Sequence, residues 1–139
     1  MDLNLAGKVA VITGGSAGIG LGVAEAFAKE GVNLVLAARK GDQLSAEAAR
    51  IADAYKVKAV PVVADVATSD GCDTLIAATE KAFGGTDILI NNAGVGSNET
   101  IMEAGDEKWQ YYFELHVMAA VRLARGLVPM MKKRGGGAI

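Results

Sequence analysis

Three features of the 139-residue sequence predict an α/β fold with a doubly wound parallel sheet. Short β-branched runs alternate with helical stretches along the whole chain. The runs are apolar on consecutive residues, as in strands buried on both faces, where a one-sided sheet would alternate apolar and polar. The first run also ends in a glycine-rich turn that opens a helix, a junction typical of this architecture.

Residues 8–13 form the first run, which stops at glycines. Apolar and small residues continue through 19–29 without proline, and Gly31 follows where a left-handed helix cap belongs. Residues 32–38 predict a second strand. Leu44, Ala48, Ile51 and Tyr55 then recur at the four-three-four spacing of one helix face. Residues 59–63 are the third strand, and Pro61 suits an edge because proline cannot donate to a ladder. Ser69, with Asp70 and Asp73 behind it, predicts a capped helix start, and Cys72, Leu75, Ile76, Thr79 and Phe83 line the inner face. Residues 87–90 make the fourth strand, followed by the turn Asn91-Asn92-Ala93-Gly94. Residues 106–133 are the longest helical stretch, stopped by basic residues and by Gly135, Gly136 and Gly137.

Composition narrows the function. Hydrophobic residues make up 51% and charged residues 22%, with 18 glycines and only 2 prolines, which supplies a core and excludes a disordered tail. The length fits one domain, or part of one. Formal net charge is −2, and Lys and Arg are scattered except at Lys132, Lys133 and Arg134, so no nucleic-acid partner is expected. Cys72 is the only cysteine, which excludes an internal disulfide and suits a reducing compartment. No stretch reads as a membrane span, and the N-terminus lacks the pattern of a signal peptide, so a cytoplasmic protein without a membrane partner is expected. No Cys, His and carboxylate cluster has metal spacing.

Gly14, Gly15, Gly18 and Gly20 lie between the first strand and the first helix. There, backbone amides and the positive helix end can face an anion without a basic side chain. The spacing is Gly-x-x-x-Gly-x-Gly, and no Gly-Lys-Ser/Thr follows, which favours a dinucleotide over a nucleoside triphosphate. The alternative is a set of glycines that only shape a loop.

Thr13-Gly14-x-x-x-Gly18-Ile19-Gly20, then Asp65 after the third strand, then Asn91-Asn92-Ala93-Gly94 after the fourth, together resemble the short-chain dehydrogenase/reductases. The resemblance covers essentially the whole chain. It implies that Gly14, Ser16, Gly18, Ile19 and Gly20 wrap a coenzyme diphosphate, that Asp65 and Val66 hold the adenine, and that Asn92, Ala93 and Gly94 line the ribose. Read alone, Asp65 begins a turn and the asparagines tie loop backbone. The resemblance also implies an NAD(P)-dependent oxidoreductase acting on a small-molecule carbonyl or secondary alcohol. The second strand ends in Ala37-Ala38-Arg39-Lys40, with no carboxylate for a ribose 2′-hydroxyl and a guanidinium suited to a 2′-phosphate. NADP(H) is therefore expected over NAD(H), the alternative being that Arg39 and Lys40 are solvated loop charges.

Trp109, Tyr112, Phe113, His116, Ala120, Leu123 and Leu127 fall at three- and four-residue steps, which predicts that His116 points inward. In the family the residue seven places after this Trp is usually an Asn that organises a proton relay. His116 stands there instead, as a relay participant or as a packing residue. Tyr111, Leu115, Met118 and Val121 lie off the predicted inner face, and this apolar surface, with the family's habit, predicts a homo-oligomer through helix 106–133.

The chain reaches Ala138 and Ile139 where the alternation demands a fifth strand, so the sequence reads as cut before it. The fourth strand then needs a neighbour on its far side. The alternative is a complete small flavodoxin-like domain. The Ser and Tyr-x-x-x-Lys that the family uses for chemistry come after that strand, and Tyr55, Tyr111 and Tyr112 have no Lys four residues on. Residues 1–139 thus read as the N-terminal dinucleotide-binding part of one domain, binding coenzyme at best. A non-catalytic nucleotide-binding module and an inactive structural fragment are the other readings.

Overall fold

The computed structural model describes residues 1–139. Its elements are β1 (Val9–Thr13), α1 (Gly18–Lys29), β2 (Asn33–Ala38), α2 (Gly41–Tyr55), β3 (Ala59–Val63), α3 (Ser69–Phe83), β4 (Ile88–Ile90), α4 (Asp106–Phe113), a π-turn (Glu114–Met118) and α5 (Ala119–Lys133). Strand ends match the sequence reading to within one residue.

The four strands form one parallel sheet in the order β3-β2-β1-β4. That order separates it from a flavodoxin-like sheet, which runs 2-1-3-4. Alternation along β1 builds two cores. Val9 and Val11 join Val35, Leu89, Leu75, Leu123 and Leu127 on the α3–α5 face. Ala10 and Ile12 join Leu34, Leu36, Ala24, Leu44 and Ile51 on the α1–α2 face. Both faces of the central strands are therefore dry, which explains their unbroken apolar runs. Pro61 sits on β3 at the sheet edge, where its missing N–H deprives no neighbour.

Glycine closes two helices by the same chemistry. Gly31, at φ +79°, follows α1, with Gly31 N–H on the Ala28 carbonyl and Val32 N–H on the Phe27 carbonyl. Gly135, at φ +95°, follows α5 in the same pattern, with Gly136 N–H on Met131 and Gly135 N–H on Lys132. The chain then turns beside β4. Ala138 N–H donates to the Asp87 carbonyl, and Leu89 N–H donates to the Ala138 carbonyl, both at 3.0 Å. This parallel bridge between Ile88 and Ala138 occupies the far side of β4.

Two expectations are corrected. Thr68, not Ser69, caps α3, its hydroxyl accepting Gly71 N–H at 3.0 Å; Ser69 is already the first helical residue. The 106–133 helix is interrupted by the π-turn, and its buried face is Leu115, Ala119, Leu123, Leu127 and Met131. Trp109 and Phe113 are exposed, and so is His116. The predicted face is offset by one residue upstream of Leu123: Ala119 and Leu115 are buried in place of Ala120 and His116, the inner stripe keeping four-residue steps. No helix is long and apolar enough to cross a membrane.

Candidate functional site

The sheet order makes β1 the point where the winding reverses, with β2 on one side and β4 on the other. The loops after β1 and β4 meet there, at the carboxyl ends of the strands, where this architecture opens its crevice. The Thr13 hydroxyl accepts the backbone N–H groups of Asn92 at 3.0 Å and Ala93 at 2.9 Å. In return, Asn92 Nδ2 donates to the carbonyls of Thr13 at 3.1 Å and Gly14 at 3.3 Å. Gly14 holds φ +68°. Gly20 lies so close behind the turn that a Cβ there would stand 2.2 Å from the Gly14 carbonyl oxygen and 2.5 Å from Asn92 Nδ2. Position 20 therefore needs glycine for packing alone.

At the start of α1 the capping position is Ala17, whose side chain cannot accept a hydrogen bond, and the first turn carries no acid. The first amides and the positive end of the helix are thus free of an internal counter-group, which fits an external anion. A cavity of about 330 Å³ opens beside them. Gly14, Ser16 and Ala17 line it from the glycine turn, and Ala37, Ala38, Arg39, Lys40 and Gln43 from the end of β2 and the start of α2. Ala64, Asp65 and Val66 follow β3, Ala93, Gly94 and Val95 follow β4, and Tyr111 and Leu115 complete the wall. A second cavity of about 170 Å³ lies against Thr13, Val66, Asn91, Asn92, Ala93, Gly94, Leu115 and His116.

The structure therefore brings Gly14, Ser16, Arg39, Asp65, Val66, Ala93 and Gly94 to one cavity, and Asn92 and His116 to its smaller neighbour. Gly18, Ile19 and Gly20 line neither: Gly18 turns the chain at φ +56° into open space, Ile19 is exposed at the start of α1, and Gly20 is buried behind the turn. Asp65 also shapes its own loop, its Oδ1 accepting Ala67 N–H at 3.0 Å and its carbonyl accepting the Thr68 hydroxyl at 2.8 Å. Gly71 lets α3 close on that loop, since a Cβ there would overlap the Asp65 carbonyl oxygen. Burial pushes the Cys72 thiol up from its ordinary value, and its Sγ donates to the Val66 carbonyl at 3.3 Å, so Cys72 packs behind the loop as an unreactive thiol.

His116 reaches the site from the π-turn. Its Nε2 lies 2.9 Å from the Val95 carbonyl oxygen, which can only accept, so Nε2 carries the proton and Nδ1 is left to exchange one. The ring lies against Gly94, where a Cβ would come within 2.7 Å of His116 Cε1. Sequence reasoning missed Gln43, Val95, Tyr111 and Leu115 as wall residues. Gln43 Nε2 donates to the Ser16 carbonyl at 3.1 Å, tying α2 to the glycine turn, and no local pattern signals it. Tyr111 and Leu115 do carry a signal, because they continue backwards the four-residue step of Met131, Leu127, Leu123 and Ala119.

The strand order and the glycine turn at the switch point define a Rossmann-type α/β fold. The chain matches the family model described as short chain dehydrogenase over residues 8–139, and it belongs to the short-chain dehydrogenase/reductase family, a family of oxidoreductases. It is similar to the L-sorbose reductase of Gluconobacter frateurii, solved in complex with NADPH and L-sorbose. The identity is 60% and the TM-score 0.99, over 100% of this chain and 53% of that one. An alcohol dehydrogenase from the archaeon Thermococcus sibiricus, complexed with 5-hydroxy-NADP, is 30% identical with a TM-score of 0.89, over 94% of this chain and 56% of that one. Among curated proteins, an uncharacterized oxidoreductase of Staphylococcus saprophyticus is 32% identical over 137 residues, 99% of this chain and 58% of its own length. The chain thus spans about half the length of the relatives it matches.

Proposed function

We propose that residues 1–139 are the N-terminal, coenzyme-holding part of a single Rossmann-type domain, and that the whole protein is an NADP(H)-dependent oxidoreductase of a carbonyl or secondary alcohol. The observation that carries this reading is the charge at the end of β2. Arg39 and Lys40 line the cavity beside the uncapped start of α1, and no carboxylate from that strand end stands in the wall. A ribose 2′-phosphate would meet Arg39 and Lys40 there, whereas NAD-type sites present an acid to the free hydroxyl. The NADPH bound by the 60% identical L-sorbose reductase supports the same coenzyme here.

In this reading Gly14, Ser16, Gly18, Ile19 and Gly20 present backbone to the diphosphate, Asp65 and Val66 flank the adenine, and Asn92, Ala93 and Gly94 line the ribose. The coenzyme supplies a hydride at C4 of its nicotinamide. His116, at the position of the family Asn, holds or passes a proton through Nδ1 while Val95 fixes its other nitrogen. A small polyhydroxylated ketone is the favoured substrate class, because identity to the L-sorbose reductase is about twice that to the other relatives. Residues 1–139 contain no Tyr-x-x-x-Lys, so in this reading the chain binds coenzyme without turnover. Trp109, Phe113, Val117 and Val121 form an exposed apolar face on α4, the π-turn and α5, which supports a homo-oligomer through that region of a cytoplasmic protein.

Calorimetric titration of the chain with NADPH and with NADH tests the reading. The expected result is a preference for NADPH of at least about tenfold, or about 1.4 kcal/mol, that Arg39→Ala largely abolishes. Equal affinity, or a preference for NADH, overturns the coenzyme assignment. Turnover of a ketone by the 139-residue chain with NADPH overturns the placement of the reacting groups outside it.

A further inference from the structure

The π-turn that carries His116 is a rare element, found mostly as a single turn inserted in an α-helix and often at functional sites. The structure shows what spans it. Glu114 is the first residue of the π-turn. Its Oε1 accepts a hydrogen bond from Gln110 Nε2 at 3.0 Å, one turn earlier on α4. Its Oε2 lies 2.7 Å from Arg122 Nη1, in the first turn of α5. The carboxylate therefore bridges the helix before the π-turn to the helix after it.

Glu114 Oε2 and Arg122 Nη1 are both shielded from water, and neither has an aligned hydrogen bond to any other group. The charge of each is compensated chiefly by the other. The Arg122 side chain is 21% and that of Glu114 28% exposed, so the pair is partly shielded: it adds little net stability, and separating its members leaves each of the two shielded atoms without its counter-charge. Rewinding the π-turn as regular α-helix would shift the register of α4 against α5 by about one residue and rotate Gln110 and Glu114 away from Arg122. His116 lies two residues beyond Glu114, its Nε2 on the Val95 carbonyl and its ring against Gly94.

We infer that Glu114 and Arg122, with Gln110, form a strap across the π-turn that seats the His116 imidazole against the Val95 carbonyl. This rests on the reading of His116 as the proton-handling group, and it makes Glu114 and Arg122 positioning residues that act through the imidazole without touching coenzyme or substrate.

His116 is the only histidine of the chain, so one ring accounts for all the imidazole nitrogen signals of a ¹⁵N-labelled sample. In the neutral ring of the wild-type chain, Nε2 should resonate as a protonated and Nδ1 as an unprotonated nitrogen, the signature of a fixed tautomer. In Glu114→Gln and Arg122→Met the two signals should converge by roughly half their separation as the ring leaves its seat and averages between tautomers. Arg122→Lys, which keeps the charge, should restore most of the separation. Circular dichroism identifies the variants that fold, and Glu114→Gln, which preserves shape and the bond to Gln110, serves if Arg122→Met does not. A folded Glu114→Gln or Arg122→Met chain with the wild-type ring spectrum overturns the strap. A wild-type ring that already averages its tautomers overturns the seat itself. The coenzyme reading is separated by titration: a chain with a fixed tautomer that takes up no NADPH loses that reading and keeps the strap.

Discussion

Thr13 and Asn92 lock the ends of β1 and β4 together by exchanging hydrogen bonds in both directions. The Thr13 hydroxyl receives two backbone N–H groups, and the Asn92 side chain returns one donor to the backbone of Thr13 and Gly14. Thr13 is 2% exposed, so water cannot replace a lost partner. Thr13→Val keeps the shape of the side chain and strands two donors, and it is expected to destabilise the fold by about 2–3 kcal/mol. Thr13→Ser keeps the acceptor and should lose much less. Urea unfolding of both variants checks the difference, and equal stability of the valine and serine forms would show that the brace contributes nothing.

Two glycines two residues apart on α1 should respond in opposite directions. A Cβ at Gly20 meets the Gly14 carbonyl and the Asn92 amide, whereas one at Gly22 meets nothing within 4 Å. Gly20→Ala must push the glycine turn away from Asn92, so it is expected to lose both thermal stability and coenzyme affinity. Gly22→Ala replaces an exposed mid-helix glycine and should stabilise by about 0.5–1 kcal/mol. Melting temperatures of the two variants decide it, and a Gly20→Ala chain that melts like wild type would mean the turn yields at little cost.

The contrast between these glycines also shows what sequence can and cannot disclose. The turn after β1, the edge position of Pro61 and the glycine stops of α1 and α5 were legible because their causes are local: a positive φ, a missing N–H, a backbone end to be closed. The core face of α5 was legible at Leu123 and Leu127, without Met131. Upstream two patterns competed: the four-residue step back through Ala119, Leu115 and Tyr111 carried the inner face, while Trp109 and Phe113, as hydrophobic as those residues, drew the predicted face to the other side. The wall residues Gln43 and Val95 come from segments brought together only by the sheet order, so their own neighbourhoods in sequence carry no mark of it.

At the opposite end of the sheet, Asp87 and Arg134 should prove unequal partners. Asp87 Oδ2 accepts Val9 N–H at 2.9 Å and Arg134 Nη1 at 3.0 Å, while Arg134 Nη2 also donates to the Phe83 carbonyl at 2.5 Å. The Asp87 side chain is 12% exposed and that of Arg134 is 29% exposed. Asp87→Ala deprives a buried strand amide and a partly shielded guanidinium at once, for an expected loss of about 2–4 kcal/mol. Arg134→Met leaves the bond to Val9 intact and removes a cation that water partly reaches, so about 1 kcal/mol is expected. Both sites lie away from the cavity, and coenzyme titration should be unaffected in any folded variant. Denaturant midpoints that rank Arg134→Met below Asp87→Ala would reverse the argument.

The start of α3 separates a true cap from its neighbour. Thr68 accepts Gly71 N–H at 3.0 Å and donates its own hydroxyl proton to the Asp65 carbonyl at 2.8 Å, so one side chain both ends the loop and begins the helix. Ser69, already helical, makes neither bond. Thr68→Ala is expected to destabilise by about 1 kcal/mol. Ser69→Ala should fall within about 0.5 kcal/mol of wild type, since alanine is the better helix former and no cap is lost. Because the hydroxyl of Thr68 is bonded to Asp65 in the cavity wall, the same Thr68→Ala change should weaken NADPH binding if the adenine lies against Asp65 and Val66. Parallel unfolding and titration of the two variants distinguish the effects: a Thr68→Ala chain that loses stability yet binds NADPH like wild type would keep the cap and remove the adenine from that loop.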